Sequence, residues 1–164
     1  MVIHANDLKA KGASYEEVVA EIEEFKNHIN VQFTVDDLFH LQRGGRVGKT
    51  TAVVGSALNL KPFLYVTSAG TLSSDGTTRG RKKSLRTLVE RMKATLAADT
   101  DYSLPVGIVH GNCFEDAQAV ANMVKEETAF TDIIINDISP SIGTHAGPGA
   151  LGLIYYGQPK AAAK

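Results

Sequence analysis

Two glycine-rich stretches place cationic side chains where an anion could reach them. The first is RGGRVGKTT, residues 43–51. Gly44 and Gly45 let the backbone come close to a ligand. Arg46 projects a planar guanidinium that can pair with carboxylate or phosphate through two parallel hydrogen bonds. The second is SIGTHAGPG, residues 141–149. Gly143, Gly147 and Gly149 permit unusual backbone angles, and Pro148 stiffens the segment. Thr144 and His145 are flanked by residues too small to shield them, and nearby amides can point at an anion. Histidine is the side chain that most easily changes charge near neutral pH. The expectation is that Arg46 and His145 converge on one anion site, although they lie roughly a hundred positions apart. The bland readings are a helix end at Gly44–Gly45 and a long turn whose histidine faces solvent. His110, before Gly111, reads as a structural residue at a strand end.

Two further patterns offer other chemistry. Gly48-Lys49-Thr50 resembles the end of a nucleotide-binding P-loop. That motif places a Gly five positions before its Gly-Lys-Ser/Thr, and position 43 is Arg43. The preceding segment also reads as helix, whereas a P-loop follows a strand. A phosphoryl-transfer enzyme using Lys49 and Thr50 is the alternative this spacing argues against. Residues 79–86, RGRKKSLR, hold Arg79, Arg81, Lys82, Lys83 and Arg86 and could serve a nucleic-acid-binding module. No aromatics are interleaved, and the bland reading is the solvated first turns of a helix. Positive charge at a helix N-terminus opposes the macrodipole, by ~0.3–1 kcal/mol per badly placed charge. The cost points weakly to a partner for those charges.

The elements that must carry these residues follow from periodicity. Ser14 and Glu17 form a capping-box pattern, and Val18, Val19, Ile22, Phe25 and Ile29 make residues 15–29 an amphipathic helix. Val31, Phe33 and Val35 alternate as in a half-buried strand. Asp36 can cap a short helix that stops at Gly44–Gly45. A second helix runs from about Thr50 to Leu58. Pro62 opens a strand over residues 63–66, and 67–78 read as a turn or hairpin. Leu85, Leu88, Val89, Met92 and Leu96 stripe a helix over about 80–97. A strand at 105–110, a helix at 114–127 with Phe114, Ala117, Val120, Ala121 and Val124 inward, and strands at 132–138 and 151–156 complete the chain. The sum is an α/β domain of two layers, a mixed or antiparallel sheet of four to six strands with helices packed on it.

Bulk properties narrow the classes. The 164 residues suffice for one domain with a real core. Hydrophobic residues make up 43% and charged ones 21%, with a net charge of −1, so no global field recruits nucleic acid. Cys113 is alone, which excludes an internal disulfide and a cysteine zinc site and fits a reducing cytoplasm. Met1–Lys11 lacks the apolar core of a signal peptide, and no run approaches the ~20 apolar residues of a transmembrane segment.

Four segments occur together in a telling order: FTVDDLFHLQRGGRVG, LNLKPFL, RGRKKSL and GTHAGPGALG. Over roughly residues 14–156 the chain resembles the C-terminal domain of the DegV family. These are bacterial fatty-acid-binding proteins, some of which are the lipid-carrying subunit of fatty-acid kinase. The resemblance implies a carrier that is not catalytic by itself, with a fatty acid as ligand and no cofactor or metal. In the family the acyl chain lies in an apolar tunnel, its carboxylate near the boundary of two domains. A kinase subunit phosphorylates that carboxylate. Arg46 and His145 match the head-group residues, with Gly45 and Thr144 in the same network. Arg79 matches the residue that meets the kinase, with Arg81 beside it.

The resemblance also sets an expectation about extent. Residues 1–164 form a single domain like the family's C-terminal one, and the family's N-terminal domain is absent. Thr67–Ser74, TSAGTLSS, is not the Ser/Thr motif of that domain, because it falls between the Lys61-Pro62 strand and the basic helix. The longer stretch between Lys61 and Arg79 should only lengthen a surface turn. Alone, such a chain is expected to hold fatty acid poorly and to self-associate through the face left by the missing domain.

Overall fold

The computed structural model describes residues 1–46 and 59–162. Helices α1 (Val2–Ala10) and α2 (Tyr15–His28) lead into strand β1 (Ile29–Thr34) and the short helix α3 (Leu38–Arg43). Strands β2 (Leu60–Val66) and β3 (Leu72–Arg79) form a hairpin, followed by α4 (Arg81–Ala94), β4 (Val106–His110), α5 (Phe114–Glu127), β5 (Ile133–Asp137), α6 (Pro140–Ala146) and β6 (Leu151–Tyr156). The strands form one mixed sheet in the order β3-β2-β1-β6-β4-β5. Among the described residues only β4 and β5, joined through α5, run parallel; the other neighbours are antiparallel. The α/β expectation therefore holds, at the upper end of its strand count.

The two-residue period of the strands separates two apolar faces. On β6, Leu151, Leu153 and Tyr155 join Val106 and Ile108 of β4 in a core sealed by Leu85, Leu88, Val89 and Met92 of α4 and Ala117, Val120, Ala121 and Val124 of α5. The other face carries Phe33 and Leu64, against which Leu38 and Leu41 of α3 and Ala146 of α6 pack. Phe25 of α2 covers the far end of this second face, tilted on Tyr156 with ring centroids 4.9 Å apart. Between those two covered ends no element among the described residues covers the second face.

Local chemistry sets the helix ends. Ser14 and Glu17 close a capping box: the Glu17 amide donates to Ser14 Oγ at 3.3 Å and the Ser14 amide to the Glu17 carboxylate at 2.8 Å. Helix α3 is capped by Asp37, whose carboxylate accepts from the Phe39 amide at 2.8 Å, and not by Asp36. Asp36 instead lies 2.9 Å from the ammonium of buried Lys61 and 3.7 Å from Arg81. A buried lysine requires such a partner, which explains the exchange of roles.

Several other expectations shift. Residues 140–146 are a helix, not a loop: Ser139 caps it and Pro140 opens it. Phe114 at the start of α5 is 54% exposed, because it precedes the turn that meets the sheet. Pro62 sits inside β2, where the register to β3 shifts between Pro62 and Leu64; the irregularity accommodates a residue that cannot donate to the ladder. The extra Ser/Thr residues before Arg79 form β3 as well as a turn. Helix α1, paired with α2, was not anticipated. The helix expected over Thr50–Leu58 and the residues Gly48, Lys49 and Thr50 lie outside the described residues.

One polar chain crosses the main core. Gln32 Nε2 donates to the Tyr155 hydroxyl at 2.6 Å, and that hydroxyl lies 2.5 Å from Thr95 Oγ1. Thr95 Oγ1 donates in turn to the carbonyls of Arg91 and Met92, so the tyrosine O–H donates to Thr95. Burial pushes the Tyr155 phenol up to about 12, against the lowering effect of its Thr95 and Gln32 hydrogen bonds. The folded state thus holds this proton more tightly than the unfolded chain, whose tyrosine ionises near ~10. Its contribution is complete below about pH 10 and is lost as pH rises from there towards 12, by on the order of 2–3 kcal/mol. Urea unfolding across that window should show the decline in the wild type. The part due to this residue should vanish in Tyr155→Phe; an identical decline in the variant would assign it to other groups.

Candidate functional site

The end of α3 is a Schellman motif. The Gly45 amide donates to the Gln42 carbonyl at 2.9 Å and the Arg46 amide to the Leu41 carbonyl at 2.8 Å. Gly45 has φ +71°, the left-handed conformation that glycine adopts without steric cost. The glycine pair of the sequence therefore does two things. It ends the helix, and it turns the chain so that Arg46 borders the open apolar face. The Arg46 guanidinium folds back to donate to the Gly44 carbonyl at 2.5 Å and remains exposed.

His145 sits in the last turn of α6, which ends at Gly147 with φ +75°. Its ring lies against the backbone of Gly44: a methyl group added there would sit 2.3 Å from His145 Nδ1. The reverse contact also exists. A methyl group added at Gly147 would sit 2.5 Å from a ring carbon of His40. Each helix end thus seats its imidazole on the other's glycine. Buried His145 Nδ1 has no hydrogen-bond partner among the described residues.

Arg46 and His145 both line one cavity of about 660 Å3. Its floor is the open sheet face, with Val31 and Phe33 of β1, Val109 of β4 and Gly152 and Ile154 of β6. Ile138, Ile142 and Ala146 form the wall beside α6. The site is an apolar trough with an arginine and a histidine at one end. Asp137, 80% exposed, and the hydroxyls of Ser139 and Ser141 complete the polar rim. Such a site suits an amphiphile with one anionic group and a long apolar body.

The other expected site residues fall elsewhere. The Thr144 hydroxyl donates back to the Pro140 carbonyl at 2.8 Å, so it is occupied within its own helix. Gly45 contributes backbone turn geometry. His110 is buried on the core side, 5.8 Å by ring centroid from Phe114. Its Nδ1 accepts from the Cys113 amide at 3.4 Å and lies 3.4 Å from the Asp137 carboxylate. Burial raises the Cys113 thiol, which argues against a reactive thiolate there.

Arg79, at the end of edge strand β3, is exposed, as are Lys82 and Lys83. Arg81 is not part of that open surface. Its Nε donates to Asp116 of α5 at 2.7 Å. Arg86 and Lys93 both reach Glu127, at 3.3 and 2.9 Å. Part of the basic run therefore ties α4 to α5, and the charge found near the N-terminus of α4 has an internal partner.

Sequence reasoning missed His40 and the isoleucines beside α6. Ser139-Pro140, a cap residue followed by proline at the first helical position, was the available sign of a helix there. No local signal announces the His40–Gly147 contact.

Among the described residues, no helix is long and apolar enough to cross a membrane. The family model for the uncharacterised DegV proteins matches residues 1–158. A DegV domain-containing protein of Clostridium perfringens is 39% identical over 160 residues, 98% of this chain and 54% of that protein. The fatty acid kinase B3 protein of Streptococcus pneumoniae, solved loaded with linoleic acid, superposes with a TM-score of 0.83 at 26% identity, over 94% of this chain and 54% of its own. A fatty-acid-binding DegV family protein from Thermus thermophilus gives 0.81 at 29% identity, over 95% and 55%. The chain spans about half the length of the relatives it matches.

The interlocked helix ends lead to an expected outcome. Gly44→Ala adds a methyl where the His145 ring now lies, so the ring must leave its seat or the helices must part. Stability should fall by about 1–3 kcal/mol, and the His145 ring resonances should shift strongly. An unchanged melting temperature and spectrum would show that the two helix ends are not mechanically coupled.

Proposed function

The chain belongs to the DegV family, and from that premise we propose that it supplies the acyl groove and part of the carboxylate site for a long-chain fatty acid. The observation that carries the reading is that Arg46 and His145 open onto one end of the same apolar trough. Burying methylenes contributes roughly 0.8 kcal/mol each, which the trough floor can provide. The carboxylate needs a cation and donors, which Arg46 and the imidazole of His145 offer. This is binding and not catalysis: Arg46 and His145 hold and orient a head group. The structures of the streptococcal and Thermus relatives, which bind fatty acids, support it.

Among the described residues the trough is open along one side, so they would enclose a bound acyl chain only in part. We place the closing wall in the half of the matched relatives that this chain does not span. On that reading the isolated chain holds lipid weakly, and its open face favours self-association. Presentation of the carboxylate to a fatty-acid kinase belongs to the same proposal. Arg79, exposed with Lys82 and Lys83, forms the docking surface; Arg81, engaged with Asp116, acts in the interior instead.

One paired experiment tests both parts. In the complete protein, fatty-acid affinity, read by displacement of a fluorescent analogue, should be weakened in Arg46→Ala by about 1.5–3 kcal/mol, the worth of a hydrogen bond to a charged group. Unaltered affinity would remove Arg46 from the head-group site. In Arg79→Ala the affinity should be that of the wild type while phosphorylation of bound lipid by a fatty-acid kinase slows; full turnover would refute the docking role.

A further inference from the structure

A second cavity, of about 350 Å3, lies beneath α1 and α2. Ile3 and Leu8 of α1, Phe25 of α2, and Ile29, Ile134 and Tyr156 of the sheet line it. Ile154 borders both this chamber and the trough. Its neighbour across the β4–β6 ladder is Gly107, where an added Cβ would meet Ile154 Cβ at 3.4 Å. Strand β4 thus presents no side chain at this level. On the other side Ile154 pairs with Val31. The Ile154 side chain stands at the junction of the two spaces, and the absence of a side chain at Gly107 leaves a slot beside it.

Direction along the sheet orders the two spaces. Gly152 and Phe33 are paired near the Arg46 and His145 end, Ile154 and Val31 come next, and Tyr156 and Ile29 follow at the chamber. From Gly152 to Tyr156 the strand advances about 13 Å. The chamber's rim holds Lys11 and His4, but Asp7 and Asp101 accompany them, and His4 Nε2 lies 3.3 Å from the Glu21 carboxylate. That balance disfavours a carboxylate and leaves the chamber to the apolar end of a ligand.

Resting on the fatty-acid reading, we propose that Ile154 sets acyl-chain length: the trough takes the carboxylate and first methylenes, and the chamber beneath α1 and α2 takes the terminal methylenes of acids long enough to pass Ile154. Each methylene that gains the chamber adds about fourfold in affinity, the equivalent of ~0.8 kcal/mol. Shape at one side chain therefore decides which acids gain it.

The test is a competition series of saturated fatty acids from myristate to arachidate, against a fluorescent fatty acid, on the full chain. Ile154→Phe fills the slot. It should weaken the longest acids at least tenfold more than it weakens myristate. Ile154→Ala should shift the preference towards longer acids. Ile3→Trp occupies the chamber from exposed α1, without touching the trough, and should weaken only the long acids. Circular dichroism confirms folding of each variant, and Ile3→Trp tests the idea even if a substitution in β6 misfolds. Uniform weakening of all lengths, or unchanged length preference in Ile3→Trp, would overturn the role of Ile154 while leaving fatty-acid binding intact. Weak binding is expected of the wild-type chain, and its failure to bind any acid even at the highest soluble concentration would overturn both readings.

Discussion

Strand β6 lies inside the sheet with β1 on one side and β4 on the other, and its alternation divides the molecule. Leu151, Leu153 and Tyr155 must be buried, and two helices supply the cover. Gly152 and Ile154 necessarily point the other way. A one-residue slip would exchange the two sets and bury the wrong face. The core and the candidate binding floor are therefore two sides of one strand. The stability of the first keeps the second flat and in register, without help from a ligand.

The polar end of the trough depends on a different device. Helices α3 and α6 are short, with six and seven residues, and isolated helices of that length do not persist in water. They hold each other by seating His145 against Gly44 and His40 against Gly147. The placement of Arg46 and His145 comes from this reciprocal packing and from the Schellman bonds at Gly45 and Arg46, not from propensity. A site built this way spends little entropy when an anion arrives, because its backbone is already placed.

Legibility in the sequence followed the range of the interactions. The stripe of α5, the capping box of α2 and the alternating strands came from neighbours a few positions apart, and periodicity finds those. Arg46 and His145 were legible as residue types in glycine-rich settings, and the order of the four DegV-like segments linked them. The segment around His145 read as a loop because its three glycines and proline outweighed the Ser139-Pro140 signal. The pairing of Arg81 with Asp116, of Lys61 with Asp36 and of His40 with Gly147 was not legible. Each joins residues distant in sequence, and composition carries no trace of which charge or ring will meet which. The same limit hid Ile154, an ordinary strand residue until its position between two cavities is known.

The pairing of β1 with β6 joins residues 29–34 to residues 151–156. Residues 35–150 intervene, so closing this pair carries a large loop entropy before any contact rewards it. The hairpin of β2 and β3 and the β4–α5–β5 unit are local and can form early. They remain separate halves of a sheet until β6 arrives between β1 and β4. During synthesis on the ribosome, β1 and β4 wait with unsatisfied edges until residues 151–156 emerge. Topologies dominated by such distant contacts fold slowly and expose strand edges meanwhile. The strand that forms the floor of the trough is thus also the last of these six to be made, and a polypeptide interrupted before residue 151 would present two open sheet edges to its surroundings.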